Sequence, residues 1–125
     1  MTGILILLTA LAGAVGSALR YLVDTKITGK VSTSYPWGTT VVNATGSLLL
    51  GILTGVGLTH LPELWVTVLG TGLIGGYTTF STASIETVRL LLQRRHLSGL
   101  TNAFGGLVVC VTVAYAGLVI GQQLT

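Results

Sequence analysis

Apolar residues gather in four long blocks, at 3–23, 37–59, 64–92 and 99–123, parted by short polar stretches. A helix needs about 20 mostly apolar residues to cross the roughly 30 Å of hydrocarbon in a bilayer. Each block is long enough. The pattern therefore predicts an all-α membrane protein, with a single four-helix transmembrane domain over residues 1–125. Tyr35, Trp37 and Trp65 fall near block ends, where interfacial aromatics sit. Pro36 and Pro62 stand at or before helix starts, where a missing N–H costs little. The polar stretch 24–34 reads as a loop, with Asp24, Lys26 and Lys30 as loop charges. The third block is interrupted by Gly75-Gly76-Tyr77-Thr78-Thr79-Phe80-Ser81-Thr82-Ala83-Ser84. Its adjacent glycines lower helix propensity, and its Ser and Thr hydroxyls compete for backbone hydrogen bonds. A break in the third helix is expected there.

Composition agrees with a chain that lives in lipid. Half of the residues are hydrophobic and only 7% are charged, against about 25% in a soluble domain. So few charges cannot cover a water-facing surface. The mean hydropathy is +0.86. Cys110 is the one cysteine, set in an apolar run, and reads as a small buried hydrophobe. The start, Met1-Thr2-Gly3, lacks the basic residues of a secretory leader, and three more apolar blocks follow the first. A pI near 9.4 raises the question of nucleic acid. The placement of the charges answers it. Arg20, Lys26 and Lys30 flank the first loop; Arg89, Arg94 and Arg95 flank the third. With four spans, these loops share one side. The positive-inside rule then puts both loops in the cytoplasm and both termini outside.

Polar residues inside the blocks are the candidate chemistry. Thr39, Asn43, Ser47 and Gly51 recur every four residues and so share one helix face. Asn43 brings amide donors and an acceptor into hydrocarbon. Helix glue and a transport role both account for it. Gly51/Gly55, Gly72/Gly76 and Gly117/Gly121 are small-xxx-small pairs that let helices approach closely. Glu86 lies late in the third block with Arg89 three residues on, a spacing suited to an ion pair. No Asp or Glu lies centrally in the first, second or fourth block, which argues against a proton-coupled exporter. At the break, freed carbonyls suit a small hard cation such as sodium, whereas freed amides and hydroxyls suit an anion. A kinked helix whose hydroxyls bond back to their own backbone is the alternative.

Three stretches together resemble a known family, the Fluc (CrcB) fluoride channels, over essentially the whole chain. They are Gly13-Ala14-Val15-Gly16-Ser17-Ala18-Leu19-Arg20-Tyr21, Gly38-Thr39-Thr40-Val41-Val42-Asn43-Ala44-Thr45-Gly46-Ser47, and 75–82. The resemblance implies an antiparallel dimer of four-helix subunits with two narrow fluoride pathways along the subunit interface. It implies a structural sodium ion at the dimer centre, held by the backbone carbonyls of Gly75 and Thr78. It implies that Asn43 donates an N–H to fluoride, that Phe80 lines the pathway, and that Ser81 and Thr82 help to line it. Such a channel lets fluoride leave the cytoplasm of a prokaryote passively across the cell membrane, and it has no catalytic residues.

The chain departs from the family pattern in two ways. A second phenylalanine is expected at 83, where Ala83 stands; a tyrosine and a serine are expected on the fourth span, where Phe104 and Val108 stand. Thr112 could then belong to what remains of a polar track. The one-sided charge also opposes a homodimer whose chains insert in both orientations. A heterodimer with an oppositely oriented homologous subunit accounts for both. The rival readings are a non-conducting structural subunit of such a channel and, more remotely, a small multidrug exporter. The exporter would need a carboxylate deep in the first span, and residues 3–19 contain none.

Overall fold

The computed structural model of the protein describes residues 2–31 and 35–125. It is all-helical among these residues. Helix α1 runs Gly3–Lys30 and α2 runs Trp37–Gly57. A continuous helical run, α3, covers 63–77 and includes a wide π-helical stretch at Thr67–Ile74. Helix α4 is Ser81–Leu92, and α5 is His96–Gln123 with a π-helical turn at Thr101–Gly105. α1, α2 and α5 are each long and apolar enough to cross a membrane alone. The third block cannot do so as one helix, because it is split between α3 and α4.

One boundary differs clearly from expectation. The stretch after residue 23 is not a loop: α1 continues as helix to Lys30, and the last part of the expected loop, 32–34, lies outside the described residues. The extension has a partner. The Asp24 carboxylate rests against Gly38, where a side chain would overlap Asp24 Oδ1, and it accepts a hydrogen bond from Thr28 Oγ1 at 3.3 Å. Gly38 lies in the first turn of α2. A carboxylate there faces the positive end of the helix dipole.

The helices pack in two close pairs, and glycine makes both possible. α2 crosses α5 so tightly that a Cβ on Gly51 would overlap Ala114 O, and one on Gly117 would overlap Leu48 O. A Cβ on Gly55 would lie 2.5 Å from Leu118 O. α1 meets α3 in the same way: Gly16 against Leu73 O, Gly76 against Gly13 O, and Gly72 with a would-be Cβ 2.7 Å from Thr9 O. The three small-xxx-small pairs of the sequence thus all sit at helix crossings. Lipid tails are as apolar as Leu, so it is this backbone-to-backbone packing, not water exclusion, that holds the pairs together.

Among the described residues few large apolar side chains are buried within the chain: Val42, Val68, Ile74 and Leu90. Many more face outward along the whole length, as lipid or another subunit requires. The basic loop after α4 closes with a Schellman turn. The Arg95 N–H bonds Leu90 O at 2.9 Å, and Arg94 takes the left-handed position with φ 60°, where glycine is usual.

If the α2–α5 crossing depends on absent side chains, Gly117→Val should push the helices apart at a cost of about 1–3 kcal/mol. A thermal melt of the protein in detergent checks this. Ala116→Val, on the exposed side of the same turn, should leave the midpoint unchanged.

Candidate functional site

The third span breaks where the sequence places the break. Thr78 N–H makes the last helical bond of α3, to Ile74 O at 2.9 Å, and Thr78 itself is extended, with φ −81° and ψ 159°. α4 restarts at Ser81. In lipid, each freed N–H and C=O needs a partner inside the protein, and the partners can be traced. Thr79 N–H, which in a continuous helix would bond Gly75 O, bonds Asn43 Oδ1 at 2.8 Å. Thr79 C=O accepts from Asn43 Nδ2, also at 2.8 Å. Gly76 C=O accepts from Ser17 Oγ at 3.2 Å, and Thr78 C=O from Arg20 Nη1 at 3.4 Å. Thr82 N–H is capped by Thr79 Oγ1 at 3.2 Å. Gly75 C=O has lost its helical donor and has gained none among the described residues.

Some hydroxyls do bond back to their own helix, as a kinked helix would require: Thr78 Oγ1 to Ile74 O and Ser84 Oγ to Phe80 O. The backbone between them is nonetheless interrupted, not merely bent. The decisive bonds come from other helices.

Asn43 is therefore a clamp, and its chemistry leaves something over. Its carbonyl is taken by Thr79 N–H and one amide proton by Thr79 C=O. An asparagine amide carries two N–H donors, so one remains. Asn43 borders a cleft of about 580 Å³ that runs beside the break. Thr39 and Ser47 line it from α2, as their shared helix face requires, and Phe80, Ala83 and Asn102 line it from the other helices. Phe80 projects with 87% of its surface exposed.

The remaining site residues fall as follows. Gly75 and Thr78 both border the cleft. Ser81 and Thr82 do not line it: Ser81 is exposed, and Thr82 is half-buried and bonded to Thr79. On α5, Phe104 and Val108 are exposed, and so is Thr112. Glu86 and Arg89 form no ion pair; Glu86 Oε1 is buried without a hydrogen-bond partner. Glu86, Arg89, Thr28 and Gln93 border a smaller pocket of about 190 Å³ at the end of the molecule where α1 and α4 finish.

Three residues at the site were not singled out from the sequence. Arg20 was read only as a charge at the end of the first block, flanking the loop; in α1 it is half-buried, with its guanidinium at the break. Ser17, one helical turn before it, reaches the same segment. Their spacing of three, on the face that carries Gly13 and Gly16, was the available signal. Asn102 is a polar residue near the start of the fourth block, and nothing in the local pattern marks it as buried.

A multi-pass bundle with a broken helix, held open by side chains beside a mostly apolar cleft that carries a few polar groups, has the anatomy of a membrane transport protein. The sequence comparison is more specific. Residues 7–118 match the family described as CrcB-like protein, Camphor Resistance (CrcB), and the chain belongs to that family. Its relatives include the fluoride-specific ion channel FluC 1 of Leifsonia xyli, 43% identical across 97% of this chain and 89% of the relative. FluC 2 of Cutibacterium acnes is 40% identical across 91% of this chain and 94% of its own length. FluC of Shewanella amazonensis is 38% identical across 95% and 94%.

Replacing Asn43 should loosen the break before it does anything else. Asn43→Leu leaves Thr79 N–H and C=O without partners, at about 1–3 kcal/mol for each buried group. Hydrogen exchange at the Thr79 amide should accelerate, while that of mid-α2 amides holds. Asn43→Asp keeps an acceptor for the Thr79 N–H and should fall between.

Proposed function

We propose that this chain is a subunit of a fluoride-selective channel that lets fluoride leave the cytoplasm passively and so lowers its toxicity. The observation that carries the proposal is the spare Asn43 N–H, held on the cleft by the same amide that closes the break. Fluoride is small and strongly hydrated, and a pore must replace its water with N–H and O–H donors. Asn43 supplies one on a rigid mount. Thr39 and Ser47 hydroxyls share its helix face. The edge of an aromatic ring is electropositive, which suits Phe80 to an anion's path. Ser81 and Thr82 would join the route from the head of α4. The Arg20 guanidinium beside the break adds a positive field where few other charges are near. The names borne by the relatives point to the same ion.

The proposal extends to assembly. The exposed Phe80, the open cleft and the shortage of buried apolar side chains all ask for a second subunit. The charge bias favours one fixed orientation, with both termini outside and the basic loops in the cytoplasm of a prokaryotic cell. An oppositely oriented homologous partner would complete an antiparallel pair and supply the large side chain missing at Ala83. Two of the relatives carry numbered names, FluC 1 and FluC 2, as chains that occur in pairs would. A sodium ion would sit at the dimer centre. Gly75 C=O lost its helical donor when Asn43 took the Thr79 N–H, so each subunit would present it to a hard cation, and Thr78 C=O, which already accepts from the Arg20 guanidinium, would add its second lone pair. The ion would tie the two breaks together; no step of permeation runs through it.

Fluoride efflux from liposomes, followed with a fluoride electrode and with chloride as control, tests this reading. Liposomes with this chain alone should release little fluoride. Liposomes that also hold a homologous chain of opposite charge bias should release it quickly and keep chloride. Fast release from this chain alone would discard the heterodimer and keep the channel. Silence in every combination of folded subunits would leave the non-conducting structural role.

A further inference from the structure

We infer that Asn102 is a positioning residue for ion passage: it holds α4, and with it Phe80, Ser81 and Thr82, at a set angle to the cleft. The inference rests on the channel reading for its consequence, but not for its geometry. Asn102 is 7% exposed and, with Thr39, makes up the buried polar residues among those described. Its Nδ2 donates to Thr87 Oγ1 at 2.8 Å and to Ala83 O at 3.2 Å. Thr87 Oγ1 in turn donates to Ala83 O at 2.9 Å. The three groups close a triangle that fastens α5 to α4.

This asparagine differs from Asn43 in what it has left to offer. Both of its amide donors are directed at protein acceptors, so it presents no N–H to an anion although it borders the cleft. Its role is mechanical. α4 has only 12 residues and no continuous helix ahead of it. At its head, the Asn43–Thr79 pair fixes a point. Its far end is tied to α5 by the turn at 93–95 and by Leu91 packed against Gly99. Between these ends Asn102 fixes the stretch about one to two helical turns from the break, the part of α4 that borders the cleft.

The place of this anchor also matters. Ala83 has a single methyl group on the cleft wall, so side-chain packing there is weak. A hydrogen bond to the carbonyl of the same residue replaces it. Asn102 lies in the π-helical turn Thr101–Gly105, and such wide turns are frequent at functional sites. A narrow passage tolerates little looseness in the elements that carry its lining.

The test uses Asn102→Leu, which keeps the size and removes both donors, and Asn102→Gln, which keeps the donors on a longer arm. Hydrogen exchange is read over α4, α2 and α5, and fluoride and chloride efflux in whichever assembly conducts. In folded Asn102→Leu protein, exchange in α4 should rise at least tenfold with α2 unchanged. Fluoride efflux should fall at least tenfold, the fluoride-to-chloride ratio should drop, and Asn102→Gln should recover part of each. Unchanged exchange in α4 would overturn the inference. So would lost efflux without faster exchange, which would make Asn102 a contact of the ion itself. If Asn102→Leu does not fold, Thr87→Val removes the shorter bond and is held to the same outcomes. If no assembly conducts, the channel reading fails, and the exchange measurement alone decides whether Asn102 anchors α4.

Discussion

Asn43 and Thr79 exchange two hydrogen bonds, and the rest of the site depends on that exchange. A helix cannot stop in the middle of a bilayer without stranding N–H and C=O groups in hydrocarbon, where each is costly. A primary amide is the side chain that matches a peptide unit, with a donor and an acceptor side by side. Placed on α2 opposite Thr79, it lets the backbone leave the helix at Thr78 and re-enter it at Ser81. Everything the break then offers follows: a carbonyl at Gly75 without its helical donor, a carbonyl at Thr78 turned toward Arg20, a phenylalanine projected outward, and an amide proton left over.

Gly46, about one turn along α2 from Asn43, makes the exchange reachable, because a Cβ there would overlap the Thr78 side chain. Asn43 is short, and its 2.8 Å bonds require α2 to lie close to the broken segment. The same holds for Ser17 and Arg20, whose helix lies against α3 at Gly72 and Gly76. A larger residue at these crossings would separate the helices by more than a hydrogen bond can span. Packing of small residues and pairing of polar ones are thus one device here: the first sets the distance and the second uses it.

Phe80 projects outward, and Ala83 leaves only a methyl group on the wall of the same cleft. Arg94 occupies a left-handed turn position that glycine would fill with less strain, as would suit a loop in which positive charge serves orientation.

Much of this was legible in the residues. Four apolar blocks, proline and aromatic punctuation, and the charge asymmetry fixed an all-α multi-pass chain, because hydrocarbon thickness and the cost of burying charge act on local sequence. The break at 78–80 and the polar face of α2 were readable too, since glycine pairs and four-residue spacing are local signals. The tertiary structure alone decided which groups meet. It brought Arg20, at the end of the first block, to the break, extended α1 to Lys30 beside the contact of Asp24 with Gly38, left Glu86 and Arg89 without an ion pair, and buried Asn102 against Ala83 and Thr87. Each of these depends on the distance between helices far apart in sequence. That distance is set by which small residues happen to face one another, and a one-dimensional pattern shows the presence of such residues without showing their partners.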